Sequence, residues 1–180
     1  MEIGEIVIIN NKSYSIIKLL GKGKGGYSYL ASDGTKEVVL KKIHHEPCSY
    51  YTFGNKIEAE LNDYKRLLDA GIRIPKMIDV DKDQEIIIKE YIKGDVVFDL
   101  VKEDRLDDEY IIQVTEMAEL AKEHGLNIDY FPTNFVIQGE KLYYIDYECN
   151  NYMEEWSFSN WGKKYWSKSK EFLDYLNNSI

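Results

Sequence analysis

The residues from Asn127 to Glu148 decide how this chain is interpreted, and they read Asn-Ile-Asp-Tyr-Phe-Pro-Thr-Asn-Phe-Val-Ile-Gln-Gly-Glu-Lys-Leu-Tyr-Tyr-Ile-Asp-Tyr-Glu. Apolar, β-branched and aromatic runs separated by turn-forming residues are typical of a hairpin. The pattern predicts a loop, a strand at Phe135–Ile137, a turn at Gln138-Gly139 and a second strand at Leu142–Ile145. A hairpin brings the residue before its first strand close to the residue after its second strand.

Three side chains with oxygen atoms lie at the joints of this predicted hairpin. Asp129 and Asn134 lie in the loop on either side of Pro132, and Asp146 follows the second strand. We therefore expect Asn134 and Asp146 to be neighbours and to offer the hard oxygen ligands that suit a phosphate-bound metal ion. Asp129 would stand nearby as a base. An ordinary polar loop built around a turn-forming proline is the alternative interpretation.

A glycine-rich segment lies near the start of the chain. Gly21, Gly23 and Gly26 have the G-x-G-x-x-G spacing, and residues without a Cβ let backbone amides approach a phosphate. In a dinucleotide-binding fold this motif opens a helix. Here Tyr27–Leu30 follows and alternates like a strand, so the pattern predicts strand, glycine turn, strand. A flexible hairpin tip without a ligand is the alternative.

Taken in order, these features resemble the catalytic core of the protein-kinase-like superfamily. The interval of five residues between Asp129 and Asn134 is similar to that of the family's catalytic loop, and Asp146 follows an apolar strand as the family's metal-binding aspartate does. The strand Val38-Val39-Leu40-Lys41 resembles the family's V-A-I-K motif. The resemblance covers roughly residues 5 to 148.

The resemblance implies how ATP would be bound. Lys41 would hold the α- and β-phosphates under the amides of Gly21, Gly23 and Gly26, and a helix glutamate would steady the lysine. Glu60 is the preferred partner and Glu58 the alternative. Backbone groups of Glu90 and Ile92 would bond the adenine edge.

The resemblance also implies the catalytic chemistry. Asn134 and Asp146 would hold Mg²⁺, and Asp129 would accept the proton of the acceptor hydroxyl. Catalysis of this kind depends mostly on positioning and charge stabilisation.

The fold class implied is α+β and protein-kinase-like. An N-lobe over residues 1–92 would contain a five-stranded antiparallel sheet and one helix, predicted at Asn55–Ala70 from its apolar stripe. A small, mostly helical C-lobe would cover residues 93–180, with a long helix at Asp107–His124 and a final one at Ser167–Leu176.

The sequence departs from the family pattern around the proposed catalytic residues. Asn127-Ile128 replaces the usual His-Arg, Phe131 replaces the loop lysine, and Tyr147-Glu148 replaces Phe-Gly. The large helical region that binds protein substrates is absent. The chain is thus similar to minimal atypical kinases, such as RIO-like or small bacterial serine/threonine kinases, with a truncated C-lobe.

The function implied is transfer of the γ-phosphate of Mg·ATP to a hydroxyl of a protein serine or threonine. Three alternatives stay open. The acceptor is a small molecule, or the protein is a pseudokinase that binds nucleotide and regulates a partner, or a protein partner completes the short C-lobe through exposed tryptophans.

Composition excludes other classes of function. The net charge is −9 over 180 residues, and this argues against nucleic acid as a partner because that needs a basic face. No apolar run approaches the length of a membrane span. The acidic first residues predict no signal peptide, and two cysteines, Cys48 and Cys149, without metal-ligand spacing predict reduced thiols in a cytoplasmic protein.

Overall fold

The chain has an α+β fold. A computed structural model describes residues 1–47 and 55–179, so Cys48 lies outside the described residues. The chain divides into two compact units. The first comprises Met1–Leu61 and Pro75–Tyr91, and the second comprises Asn62–Ile74 and Ile92–Ile180.

The first unit contains one antiparallel sheet of six strands, in the order β1-β2-β3-β4-β6-β5. The predicted number of five strands is therefore wrong, because the segment Ile6–Ile9 pairs with β2 and forms an edge strand of its own. Asn10 and Asn11 turn the chain between β1 and β2 with φ of 46° and 66°, a conformation that asparagine tolerates well. The strands are β1 (Ile6–Ile9), β2 (Lys12–Lys22), β3 (Gly26–Ser32), β4 (Glu37–Ile43), β5 (Met77–Asp81) and β6 (Ile86–Glu90).

One face of this sheet forms the core of the first unit. The side chains that pack together alternate along the strands, as expected for a sheet with one buried face. The sheet curls, so that Asn10 Nδ2 of the β1–β2 turn lies 2.8 Å from Asp79 Oδ1 on β5. The core residues are Val7, Ile9, Tyr14, Ile16, Tyr29, Ala31, Val38, Leu40, Ile86 and Ile88.

The helix α1 spans Lys56–Asp69. Gly71 ends it with a φ of 77°, which is the left-handed conformation that favours glycine just after a helix. The first unit contains α1 as far as Leu61, and the second unit contains the rest of the helix.

The second unit combines helices with two small sheets, so it is more mixed than the mostly helical region predicted. One sheet has the order β10-β9-β7 and the other pairs β11 with β8. Its elements are β7 (Asp95–Val96), α2 (Val97–Lys102), α3 (Asp108–Glu123), β8 (Leu126–Ile128), β9 (Phe135–Gln138), β10 (Lys141–Tyr144), β11 (Cys149–Asn151) and α4 (Lys170–Asn178).

The helix α3 leads directly into the segment of interest. The side chain of Asp107 accepts a hydrogen bond from the Glu109 amide and caps the helix, which buries Val114, Met117 and Ala121. Gly125, with a φ of 70°, turns the chain into β8. None of the helices within residues 1–47 and 55–179 combines the length and the apolar character needed to cross a membrane.

Candidate functional site: two sets of polar residues

Lys41 and Glu60 form an ion pair in the first unit. Lys41 Nζ lies 2.6 Å from Glu60 Oε1, and the two side chains are only 12 % and 10 % exposed. Glu58, the alternative partner, instead pairs with Lys82 at 2.6 Å, with side chains half exposed. Residues two apart on a helix point in different directions, so only one of the two glutamates can meet β4.

The glycine segment forms the turn between β2 and β3. The Gly23 amide donates to the Gly26 carbonyl at 2.9 Å and closes this turn. A Cβ built on Gly25 would lie 3.9 Å from Lys41 Nζ, so the lysine ammonium lies close to the turn. The glycines and the predicted phosphate-binding lysine are thus brought together within the first unit.

The three predicted glycines differ in what surrounds them. A Cβ on Gly26 would lie 2.5 Å from the Lys42 carbonyl oxygen on β4, a distance that real Cβ atoms essentially never show. A Cβ on Gly21 would meet nothing within 4 Å, and one on Gly23 would meet only the Gly26 carbonyl at 3.9 Å. Gly26 is therefore required by the close approach of β3 and β4. At Gly21 and Gly23, by contrast, there is room for a Cβ.

The residues after β4 anchor the glycine turn. His44 Nε2 lies 3.0 Å from the Gly23 carbonyl, and the His44 amide donates to the Gly25 carbonyl at 3.2 Å. Because a carbonyl can only accept, the ring must carry its proton on Nε2. Glu46 accepts from Tyr27 Oη at 2.5 Å and also pairs with Lys22. These contacts hold the turn in one conformation.

Glu90 and Ile92 lie on either side of the sequence position where the two units meet. Glu90 ends β6, and its amide donates to the Lys76 carbonyl at 2.8 Å. This amide is therefore already used by a backbone partner and does not serve the predicted adenine contact. Ile92 is buried.

The β9–β10 hairpin brings Asn134 and Asp146 to the same end in the second unit. Tyr144 pairs with Phe135, and the Ile145 amide donates to the Asn134 carbonyl at 2.9 Å. Asp146 is the next residue, and its Oδ1 accepts from the Tyr147 amide at 2.8 Å. The turn lies at Gly139 and Glu140, both with positive φ, one residue later than predicted.

Asp129 is attached to the same end of the hairpin by local hydrogen bonds. Its carbonyl accepts from Asn134 Nδ2 at 3.3 Å, and its Oδ1 accepts from the Phe131 amide at 3.1 Å. The first bond uses the side-chain amide nitrogen of Asn134. A short 3-10 turn, Pro132–Asn134, connects the two residues.

A buried tyrosine, which the sequence analysis did not single out, joins these loops. Tyr144 is fully buried, and its hydroxyl accepts from the Asp129 amide at 3.3 Å and donates to the Glu148 carbonyl at 2.7 Å. The alternation Leu142–Tyr144 in β10 would have predicted an inward-facing phenol, which needs a buried hydrogen-bond partner.

The tail that follows β11 packs on the Asp129 loop. Trp166 is buried and donates from Nε1 to the Tyr130 carbonyl at 2.7 Å. Gly162 lies so close to Tyr130 that a Cβ would come within 2.5 Å of the tyrosine Cβ. Asn127 holds the tail further along, since its Oδ1 accepts from the Met153 amide at 2.5 Å. This tail therefore supports the loop from outside.

The end of the hairpin offers only part of the ligand set that Mg²⁺ needs. Within residues 1–47 and 55–179, no three His, Cys, Asp or Glu side chains form a group that could hold a metal ion. Asn134 and Asp146 offer one amide and one carboxylate oxygen group, and Mg²⁺ in nucleotide enzymes commonly takes one or two protein ligands with phosphate oxygens and waters. The residues present therefore fit Mg²⁺ brought with a nucleotide, but not a metal cage made of protein alone.

The chain matches no protein-family model. It also matches no curated protein sequence.

Proposed function

We propose that this protein is an ATP-dependent phosphotransferase of the protein-kinase-like superfamily, in the form of a minimal atypical kinase that transfers the γ-phosphate of Mg·ATP to a hydroxyl. The observation that carries the proposal is the meeting of Asp129, Asn134 and Asp146 at one end of the β9–β10 hairpin. The largely buried Lys41–Glu60 pair beside the glycine turn supports it.

The first unit would supply the phosphate contacts. A lysine that is paired with a glutamate stays charged and is held in one position, so it can bind phosphate oxygens without losing side-chain entropy at that step. Lys41 would neutralise phosphate charge as the bond to the leaving oxygen breaks. The turn at Gly23 would place backbone amides against the phosphates.

The second unit would supply the acceptor chemistry. Asp129 would take the proton of the acceptor hydroxyl while the acceptor oxygen forms its bond to the γ-phosphorus, and the electron pair of the broken bond stays on ADP. Asn134 and Asp146 would hold Mg²⁺, which neutralises charge on the phosphates when it is bound.

The acceptor is proposed to be a protein serine or threonine, with a small hydroxyl compound as the other candidate. Phe131 lies two residues after Asp129 and contacts Tyr165 and Tyr175 of the tail, with ring centroids 5.2 Å and 4.8 Å apart. Any acceptor that reaches Asp129 would therefore meet aromatic rings rather than the lysine usual in the family.

Thermal unfolding with ATP, Mg²⁺ or both is the first test. At about 100 times its dissociation constant, Mg·ATP should stabilise the protein by about 2.7 kcal/mol. We expect Asp146→Ala and Lys41→Met to lose this stabilisation. Lys42→Met is the matched control, since the neighbouring lysine donates to the Gln84 carbonyl instead.

Phosphate transfer is then measured as ADP release and as ³²P-labelled product formed from γ-³²P-ATP, with lysate proteins and metabolites as acceptors. Asp129→Asn should keep the Mg·ATP stabilisation and lose transfer. Equal transfer by wild type and Asp129→Asn would refute the proposed role of Asp129. Stabilisation without transfer under any condition would indicate a nucleotide-binding regulator instead of an enzyme.

A further inference from the structure

Tyr144 occupies an unusual position in the second unit. It is the last residue of β10, its side chain is fully buried, and its ring packs against Phe135 with centroids 5.3 Å apart. Two residues further along the chain stands Asp146. A polar atom buried at this depth needs partners within the protein.

The Tyr144 hydroxyl finds two such partners, and both are backbone groups. It donates its single proton to the Glu148 carbonyl at 2.7 Å and accepts the Asp129 amide at 3.3 Å. A phenol can do both at once, because it has one donor and free acceptor capacity. Phenylalanine at this position would fill the same space and remove both of these hydrogen bonds.

The two partners belong to the two loops that carry the proposed catalytic residues. One is the amide of Asp129 itself, and the other is the carbonyl of Glu148, two residues after Asp146. The β8–β11 pairing of Ile128 with Cys149 holds the same segments one residue further out. In addition to this strand pairing, the hydroxyl therefore attaches the two loops to each other.

The charges around the hydroxyl agree with this geometry. Burial raises the pKa of Tyr144 well above its usual value, and the negative charges of Asp146 and Asp129 raise it further. Both carboxylates thus act on one phenol.

We infer that Tyr144 is a positioning residue, whose hydroxyl fixes the Asp129 loop to the segment that carries Asp146 so that base and metal ligand keep one relative position. This inference rests on the proposed function for its catalytic meaning. The hydroxyl is buried and bonded to two backbone groups, so its proposed role is to hold the loops and not to contact nucleotide or acceptor. Its loss should lower the rate of transfer and leave Mg·ATP affinity nearly unchanged.

The variant Tyr144→Phe tests the inference, with Tyr14→Phe as the matched control. Tyr14 is also a buried tyrosine, but it lies in the core of the first unit. The first measurement is amide hydrogen exchange. Exchange at the Asp129 amide should accelerate about tenfold in Tyr144→Phe, as expected for the loss of one hydrogen bond, and should not change in Tyr14→Phe.

The second measurement is steady-state turnover of Mg·ATP to ADP. In Tyr144→Phe, kcat should fall at least tenfold while KM for Mg·ATP changes less than twofold, a split that general destabilisation does not produce. Tyr14→Phe should keep both values. Should Tyr144→Phe fail to fold, a variant with p-aminophenylalanine at position 144 replaces it. This side chain keeps a donor for the Glu148 carbonyl, so the Asp129 amide should retain partial protection from exchange.

The two proposals fail in different ways. Unchanged exchange at Asp129 in Tyr144→Phe overturns the inference whether or not the protein has activity. Unchanged kcat with faster exchange overturns the catalytic role of the contact. A wild-type protein that never turns over Mg·ATP refutes the proposed function, whereas faster exchange in the variant would still establish the attachment.

Discussion

The Lys41–Glu60 pair offers the sharpest prediction, because the same helix carries its own control. Lys82 and Glu58 form a second lysine–glutamate pair with the same 2.6 Å separation. The side chains of the first pair are 12 % and 10 % exposed, whereas those of the second are 56 % and 50 % exposed. Burial is therefore the main difference between the two pairs.

The expected energies follow from this difference. At 2.6 Å and an effective dielectric constant of about 20, the attraction between unit charges is about 6 kcal/mol, and desolvation offsets most of it. Removing one partner destroys a largely buried charge pair, so Glu60→Gln should lower the free energy of unfolding by about 3 kcal/mol. An exposed pair contributes about 0.5 kcal/mol.

A double-mutant cycle measures both pairs directly. The variants Glu60→Gln, Lys41→Met and their combination should give a coupling energy of about 2 kcal/mol. The cycle with Glu58→Gln and Lys82→Met should give about 0.5 kcal/mol or less.

Urea unfolding should be followed by circular dichroism for these cycles. All three tryptophans, at positions 156, 161 and 166, belong to the second unit, so their fluorescence does not report on the first. Coupling energies that are equal in the two cycles would refute the reasoning from burial. A larger coupling between Glu58 and Lys82 would show that the wrong glutamate has been assigned to β4.

Three further predictions concern stability and reactivity. Gly26→Ala should lower the free energy of unfolding by about 2 kcal/mol, because its Cβ would press on the Lys42 carbonyl. Gly23→Ala should be neutral or slightly stabilising. Equal effects of the two substitutions in urea unfolding would contradict the conclusion that only Gly26 is needed for strand packing. Burial raises the pKa of the Cys149 thiol to about 12, so iodoacetamide at pH 8 should modify this residue only after unfolding. Peptide mapping measures the modification, and rapid labelling of Cys149 in the native protein would contradict this prediction. Hydrogen bonds from Thr35 and the Lys36 amide lower the pKa of Asp33 to about 2. Its stabilisation is therefore present above pH 4 and is lost as the pH falls towards 2, so Asp33→Asn should reduce the melting temperature at pH 7 and not at pH 2.

Much of the local structure was predictable because it depends on neighbouring residues. Alternation and turn residues predicted the β9–β10 hairpin, and the stripe of apolar residues predicted α1 and α3, with ends that differ by a residue or two. The strand count was wrong, because Ile6–Ile9 pairs along its length with β2 and adds an edge strand to the five predicted.

The contacts that particular residues make were harder to predict. Gly21, Gly23 and Gly26 look alike in the sequence, but only Gly26 lies against another strand. The choice between Glu58 and Glu60 depended on which side of α1 meets β4, and a helical pattern with acids on two sides leaves this open. Tyr144 and Trp166 were missed as supports of the Asp129 loop, because their partners lie 15 and 36 residues away.

The sequence by itself determined the α+β class, the β9–β10 hairpin, the helices α1 and α3, and the short intervals that join Asp129 to Asn134 and Asn134 to Asp146, because these depend on periodicity and turn chemistry within a few residues. Only the tertiary structure decided that Glu60 pairs with Lys41, that Gly26 is needed for strand packing, and that a buried tyrosine hydroxyl joins the Asp129 loop to the residues after Asp146. The physical reason is that each of these contacts brings together atoms from distant or separately formed segments. Local propensity does not encode such distances, and burial sets their energies.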